Sequence, residues 1–436
     1  MKHSLTKTLF AGTVAGLLTA CNGGSGFQPV SPGAPNTMST AGHRTGGKGY
    51  QFTVLGTLGG TFGVANSINN RTWATGVAAL SGDATQHAAL WKRGGRTQDL
   101  GTLGGPNSGV QLPVKANTGL IVGTSDIIAY DPLGENFCGD NVPNACLGFA
   151  WKNGSMSALP TLGGNNGQAS GANDRGQIAG IAESSTHDPS CIAPQVLDWF
   201  GVIWEPKHNK TKKLPPFPGD AVSFAGGVNE SGDVVGASGI CGPITPSAAV
   251  HAVLWSGKSI TNLGSLGGSV GNLALEINAR GEVVGFSDLP GDYFAHAFSW
   301  RKGTMTDLGT LPGDASSFAF DINNRGQIVG QSCDASYNCR AVLWYKGQIV
   351  DLNTYLAPSS SLALMTADAI NDSGEIAGQA FDSSNADAPA FVAVPCGDCS
   401  TAGGSARPKV VLPESVRMQL KVGRGFHHGV MARIAR

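Results

Sequence analysis

Residues 321–330 read "DINNRGQIVG". An aliphatic residue, Ile322, leads into Asn323-Asn324-Arg325-Gly326, and the pair Ile328-Val329 follows. This is the grammar of a hairpin: glycine takes positive φ at little cost, and asparagine starts the turn through its side chain. Relatives recur as "GANDRGQIAG" from 171, "GVNESGDVVG" from 227, "EINARGEVVG" from 276 and "AINDSGEIAG" from 369. A turn that returns this often is a unit of construction rather than a solitary site.

Two further signatures alternate with it in fixed order. "LGTLGG" starts at 55 and 100, then returns as "LPTLGG" at 159, "LPPFPG" at 214, "LGSLGG" at 263, "LGTLPG" at 308 and "LNTYLA" at 352. An apolar run ends at Trp91, Trp151, Trp204, Trp255, Trp300 and Trp344, and its seventh copy is "AFVAV" at 390–394. The turn asparagines are Asn69, Asn117, Asn173, Asn229, Asn278, Asn323 and Asn371, spaced by 48, 56, 56, 49, 45 and 48 residues. That period suits a four-stranded unit. Strand a runs into the asparagine, strand b follows the glycine, strand c ends in tryptophan, and strand d is the "GTMTDLGTL" type at 303–311. The body opens with a lone d-like strand at 50–58 and closes on a, b and c without a d. Pairing the first strand beside the last c closes a ring with no free edge. The predicted fold is therefore all-β: a seven-bladed β-propeller of four-stranded blades, its last blade closed by the N-terminal strand. A propeller of another blade count and a β-solenoid are the alternatives.

Outside this body, at 50–399, the chain changes character. Residues 1–20 read as a signal peptide, with Lys2 and Lys7 before a short apolar run. Residues 21–49 are rich in Gly, Ser, Pro and Thr and read as a flexible linker. Residues 400–436 form a basic tail with no core of its own, expected to be disordered. Charge is split accordingly. The body has 18 Lys+Arg against 29 Asp+Glu, or −11; the tail has 7 against 1, or +6.

Leu18-Thr19-Ala20-Cys21 resembles the lipobox of bacterial lipoproteins. That resemblance implies a lipid anchor at Cys21, attachment to a membrane, and a location outside the cytoplasm: outer membrane, cell surface or periplasmic side. An ordinary secretory signal is the alternative.

Eight cysteines remain in the body. An even count in an exported chain suggests disulfides. The pairings expected from loop proximity are Cys138–Cys146, Cys191–Cys241, Cys333–Cys339 and Cys396–Cys399. No second CxxC or HxxxH accompanies Cys396 and Cys399, so no metal site is expected.

In the propeller, the b–c and d–a loops emerge on one face and the a–b and c–d turns on the other. From the b-strand glycine to the tryptophan the separations are 15, 28, 24, 19, 15 and 14 residues. Blades two and three thus carry the large b–c insertions, and variable loops on a rigid scaffold are where binding tends to reside. These loops hold Tyr130, Asp131, Glu135, Phe137, Asp140, Asp188, Asp198, Trp199 and Phe200. Aromatic side chains beside carboxylates suit a glycan or a surface protein; Tyr130, Asp131, Phe137, Trp199 and Phe200 are the ligand-binding candidates. Packing the loops down is the competing role for the same residues.

No catalytic residue is singled out. "GGSVG" at 267–271 matches G-x-S-x-G only formally, because other blades place Thr61, Pro106 or Asn165 where it has Ser269. His87, His251 and His296 share one repeat position on separate blades and do not converge on a metal. No cofactor motif is present. Nucleic acid is disfavoured by the acidic body.

"HAFSW" at 296, with "HAALW" at 87 and "HAVLW" at 251, together with the "LGTLGG" and "IN..G.VVG" elements, resembles the bacterial extracellular HAF-repeat proteins over residues 50–395. The resemblance implies secretion and a repeat fold and transfers no catalytic residues. The function expected is an extracytoplasmic binding or interaction module. A polysaccharide lyase or hydrolase working in the central channel, and a structural envelope or matrix protein, are the alternatives.

Overall fold

The computed structural model describes residues 49–397, except 94, 95, 136, 140 and 141, together with 410–414 and 416. The signal segment, Cys21 and most of the basic tail lie outside the described residues.

Seven four-stranded antiparallel sheets form a ring. Blade 1 comprises a (Gly59–Ile68), b (Ala74–Leu80), c (Gln86–Trp91) and a two-residue d (Gln98–Asp99). Blade 6, which holds the opening motif, comprises a (Ser316–Ile322), b (Ile328–Cys333), c (Cys339–Tyr345) and d (Gln348–Asp351). In blade 7, a (Leu362–Ile370), b (Ile376–Asp382) and c (Ala390–Cys396) are completed on the outside by Gly49–Val54 from the other end of the body. Gly49 pairs with Cys396 and Val54 with Phe391, so the ring closes by strand exchange between the ends. Blades 7 and 1 then meet directly, with the Gly63 amide donating to the Ala388 carbonyl at 3.0 Å. The a strands line the axis.

The repeated glycine at the end of "IVG" has a steric cause. Each a strand shifts register against its b strand in the manner of a β-bulge, as between Ala319 and Asp321 in blade 6. The bulged strand presses on the glycine: a Cβ at Gly330 would sit 1.9 Å from the Phe318 carbonyl oxygen. The same collision arises at Gly76 with Val64 and at Gly236 with Phe224, at 1.8 and 1.9 Å. The turn glycine Gly326 serves differently, with φ at 74°.

Strand d is shorter than the pattern predicts. In blade 6's neighbour it ends at Asp307 rather than running to 311. The Asp307 carboxylate stops it by accepting from the Gly309 amide at 2.7 Å, and it also engages His296 Nδ1 at 2.9 Å. Asp99 repeats both contacts with Gly101 and His87. The recurring histidine and aspartate therefore bracket strands c and d. Past this point the "LGTLGG" segment crosses between blades, and the tryptophans hold it there. The indoles of Trp91, Trp204 and Trp255 each donate at 2.8 Å to a crossing carbonyl, those of Gly56, Pro160 and Pro215.

Apolar burial runs from blade to blade. Val284 and Ala297 of blade 5 share one buried cluster with Ile322, Val342 and Trp344 of blade 6. Each fully buried side chain of Val or Ile size contributes roughly 1.5–3 kcal/mol, which makes the ring one cooperative core rather than seven independent sheets.

Candidate functional site

The two faces of the ring are built differently. On the a–b face the turn asparagine does two things. In blade 6, Asn323 Oδ1 accepts from the Arg325 and Gln327 amides, both at 3.0 Å, which fixes the turn. Its Nδ2 then donates to the carbonyl of Asn371 in blade 7 at 2.9 Å. Asn371 passes the contact to Asn69 in blade 1, and Asn69 to Ala116 in blade 2. Asn173, Asn229 and Asn278 continue it to the blades that follow them. The ring of contacts is interrupted once, at Ala116.

This corrects the sequence register of blade 2. Ala116 stands at the repeat position, and Asn117 lies one residue later. The inner strand there stops at Gly109. Pro113 follows within an irregular stretch, and proline removes a ladder donor. Asn117 belongs to a second ring, in which the next amide of six turns donates to a side chain of the following blade, the step from Glu230 to Ala279 being missing among the described residues. Asn70 donates to Asn117, Asp174 to Glu230, Asn324 to Asp372 and Asp372 to Asn70, at 2.7–2.9 Å, and Asn117 donates to Asp174.

Beneath these rings lies a cavity of about 230 Å³, lined by the turns of all seven blades and by Lys115. Lys115 replaces the aliphatic residue found at this position in the other blades, such as Ile322 or Ile370. It spans the channel to blade 6, where its ammonium lies 2.6 Å from Asp321 Oδ1, and also donates to the Ile370 carbonyl of blade 7 at 3.0 Å. Asp321 is fully buried, and its carboxylate also accepts from the Ile322 and Ile370 amides. Glu276, from blade 5, joins this group. Burial pushes its carboxyl up to about 8, with the Lys115 charge opposing and the Asp321 charge adding. Asp321 is also raised, by burial first, against the pull of Lys115. Sequence reasoning passed over all three, although a lysine at an aliphatic repeat position was the available signal.

On the opposite face the b–c loops are stapled. Cys138–Cys146 closes the blade-two loop, Cys333–Cys339 the blade-six loop, and Cys191–Cys241 ties blade three to blade four. Cys396 is also disulfide-bonded, while Cys399 lies outside the described residues. Such bonds point to an oxidising, extracytoplasmic setting. No helix among the described residues is long and apolar enough to cross a membrane.

The candidate residues divide by exposure. Tyr130 stands 70% exposed at the end of its strand. Asp131 stitches its loop, accepting from the Leu133 and Glu135 amides at 2.9 and 3.0 Å. Phe137, Trp199 and Phe200 are buried; the Trp199 indole donates to the Gly242 carbonyl at 3.1 Å, and Lys213 Nζ lies 3.0 Å from the Phe200 ring centre. Trp199 and Phe200 belong to the blade-three c strand, Leu197–Glu205, rather than to the loop where the sequence reading puts them, and with Phe137 they lie beneath the loops rather than on their surface. Asp140 lies outside the described residues.

Asp188, Cys191, Asp198 and Cys241 are the one place where potential metal-ligating atoms converge among the described residues. Both sulfurs are spent in the disulfide, leaving a pair of carboxyls. Burial and then the Asp188 charge raise Asp198, while bonds from Ser190 lower Asp188. Ser269, the formal nucleophile, donates to Asp292 at 2.5 Å, as Thr61 does to Asp83 at 2.7 Å. It is a clasp between the crossing segment and the b–c loop.

A buried carboxyl pair joins the two largest loops. Gln195 Nε2 donates to Glu135 Oε1 and to Glu183 Oε1, each at 3.0 Å. Glu135 Oε1 also accepts from the Val196 and Leu197 amides, and Glu183 Oε2 from those of Asn165 and Asn166. Burial pushes Glu183 up to about 7; its bond from Gln195 lowers it, and the nearby Glu135 charge raises it.

The exposed apolar surface is concentrated on this face. Ile128, Tyr130 and Leu133 of blade 2, Ile192 of blade 3, Ile240 of blade 4, and Tyr293 and Phe294 of blade 5 all lie on the b–c side. Tyr345 is the single large exposed apolar side chain of the opposite turns among the described residues. The tail segment also reaches this side: the Leu412 amide donates to Asn338 Oδ1 in the blade-six loop at 3.0 Å.

No family model and no curated protein matches the chain. Among solved structures, a gluconolactonase from Xanthomonas campestris is similar at 9% identity and a TM-score of 0.35, over 80% of this chain and 90% of that one. An acylaminoacyl peptidase from Pyrococcus horikoshii scores 0.42 at 9% identity, over 73% of this chain and 49% of that one. AofleA from Arthrobotrys oligospora scores 0.36 at 9% identity, over 73% and 93%. Likenesses this faint bear on neither substrate nor partner.

Proposed function

We propose that the chain is an extracytoplasmic interaction module of the HAF-repeat type, tethered by lipid at Cys21, whose b–c face docks a protein partner. The observation that carries this is the run of exposed Ile128, Tyr130, Leu133, Ile192, Ile240, Tyr293 and Phe294 over four consecutive blades, against one such side chain on the opposite turns. Exposed apolar patches on a folded protein mark interaction sites. Four of the seven are aliphatic, and aliphatic side chains lack the flat aromatic face on which a sugar ring stacks, so a protein surface is the better complement. The disulfides hold these loops in place before a partner arrives, which lowers the ordering cost of binding.

The glycan reading keeps Tyr130 and Tyr293, the two most exposed aromatics, as its support. The channel enzyme reading would need Lys115, Asp321 and Glu276 free for substrate. Lys115 and Asp321 are already engaged with each other, and both carboxylates are buried.

A photo-crosslinking side chain placed at Ile128 in the full chain, displayed on cells, tests the face; the same group at Tyr345 is the control. A discrete protein adduct from position 128 alone is expected. Adducts from both positions, or from neither, defeat the proposal. Saturable sugar binding that disappears in Tyr130→Ala would transfer it to glycans. The anchor is tested by palmitate labelling, expected to vanish in Cys21→Ala.

A further inference from the structure

Leu412 and Val416 come from a tail that is basic and separated from the propeller by residues 398–409, yet they are only 2% and 3% exposed. They belong to the same buried cluster as Phe224, Leu275, Phe320 and Met365, which lie on the inner strands of blades four to seven. Val410 and Val411 beside them remain exposed. The chain is helical at Glu414 and Val416, whereas Leu412 precedes Pro413 outside the helix. The segment therefore buries two aliphatic side chains, Leu412 and Val416, while Val410, Val411, Pro413 and Glu414 stay in solvent. The Leu412 amide ties it to the propeller by donating to Asn338 Oδ1, within the loop closed by Cys333–Cys339.

We propose that the b–c mouth of the channel is a peptide socket, filled in cis by the segment 410–416. The partner it fits is a protein presenting a short segment with two aliphatic residues four apart and a basic flank, which enters by displacing the tail. This rests on the reading of the b–c face as the docking surface and names how that face is regulated.

Three features support an exchangeable plug over an ordinary core element. The described residues of the segment pair with no strand of any blade, so the segment can leave without breaking a sheet. The ring is already closed without it, through the pairing of Gly49–Val54 with Ala390–Cys396. The tail carries +6 against −11 on the body, a complementarity that favours rebinding after release.

The experiment uses the full chain. A double variant, Leu412→Asp with Val416→Asp, disables the plug, and a labelled synthetic peptide of residues 408–424 is the probe, followed by fluorescence anisotropy. The variant is expected to bind the peptide at least about tenfold more tightly than the wild type, whose socket is occupied; tenfold corresponds to about 1.4 kcal/mol. A peptide carrying Leu412→Asp should not bind. Equal binding to both proteins, or none to either, overturns the proposal.

Hydrogen exchange on the wild type provides a second measurement that does not depend on the variant's folding. The Leu412 amide should be protected, and should exchange well before the amides of Ser316–Ile322. Exchange together with those strands would make the tail a fixed part of the core; no protection would mean it does not dock. Neither assay involves an outside partner, so this proposal and the crosslinking test can fail separately.

Discussion

The a–b face and the b–c face are made from the same seven repeats, yet they have opposite characters. On the a–b side the copies agree. Asn323 and its counterparts hand a hydrogen bond from blade to blade, and the surface is polar and short-looped. On the b–c side the copies diverge: three disulfides, two long insertions, a buried carboxyl pair and the exposed apolar side chains all lie there. Repetition serves closure, because each blade must present the next with the same partner. Departure from repetition marks a position with another task. Blade 2 is the exception that sharpens the rule, since it departs on both faces. It loses the ring asparagine at Ala116 and, one residue earlier, sends Lys115 across the channel.

The strongest way to break the comparison is at that lysine. Lys115→Met keeps most of the stem and removes the charge that offsets Asp321 and Glu276. Leaving a buried charge without its partner costs about 3–5 kcal/mol. Both carboxyls are raised in the folded protein, so their protonated forms are favoured there and ionisation is what penalises the fold. The loss in Lys115→Met should therefore be greatest near pH 8, where Glu276 titrates, and should shrink toward pH 5. Chemical denaturation at both pH values measures it. A loss independent of pH would mean that the lysine acts through packing alone.

A smaller effect of the opposite sign is expected on the other face. Glu183 is raised from 4.5 to about 7 by burial, so the native state holds its proton longer than the unfolded chain does. Stability from this group is complete below pH 4.5 and is lost as the pH rises toward 7. Glu183→Gln keeps an amide in place of the neutral acid and removes that slope. Above pH 7.5 the variant should be the more stable protein by about 2 kcal/mol, with little difference at pH 4.5. A variant less stable than wild type at pH 8 would show that the ionised carboxylate, with its amide donors, is the native form.

Much of this architecture was legible in the sequence because a repeat protein writes its topology as a period. The blade count, the strand order and the closing strand at 50 all follow from where copies begin and end. Three of the expected disulfides, Cys138–Cys146, Cys191–Cys241 and Cys333–Cys339, followed from loops that the ring brings to one face. What could not be read was contact across the ring. Lys115 and Asp321 are 206 residues apart, and no periodicity joins them. Burial of Trp199 and Phe200 was equally hidden, because the blade-three c strand begins at Leu197, inside the segment that the spacing assigns to the loop. The blade-two register failed for a local reason: Asn117 mimics the repeat residue while Pro113 disturbs the strand that would have set the count.

The smallest effect tests the asparagine ring itself, and it separates turn-making from blade-joining. Asn323→Ala removes two amide acceptor contacts within its own turn and one donor contact to blade 7. Asn117→Ala, by contrast, leaves the first ring untouched and removes the acceptor for the Asn70 amide together with longer donor contacts to the Lys115 carbonyl and Asp174 at 3.2 and 3.1 Å. A net protein hydrogen bond is worth about 0.5–1.5 kcal/mol, and the exposed one less. Asn323→Ala should therefore cost about 1.5–2 kcal/mol and Asn117→Ala under about 1 kcal/mol. Thermal melts of the two single variants and the Asn323→Ala/Asn371→Ala pair distinguish the roles. If the asparagines act as a chain from blade to blade, the pair will depart from additivity, because Asn323 donates to the carbonyl of Asn371 and the turn presenting that carbonyl is held by the second side chain. If each only makes its own turn, the two losses will add. Additivity would reduce the ring of contacts on the a–b face to seven separate turns that happen to touch.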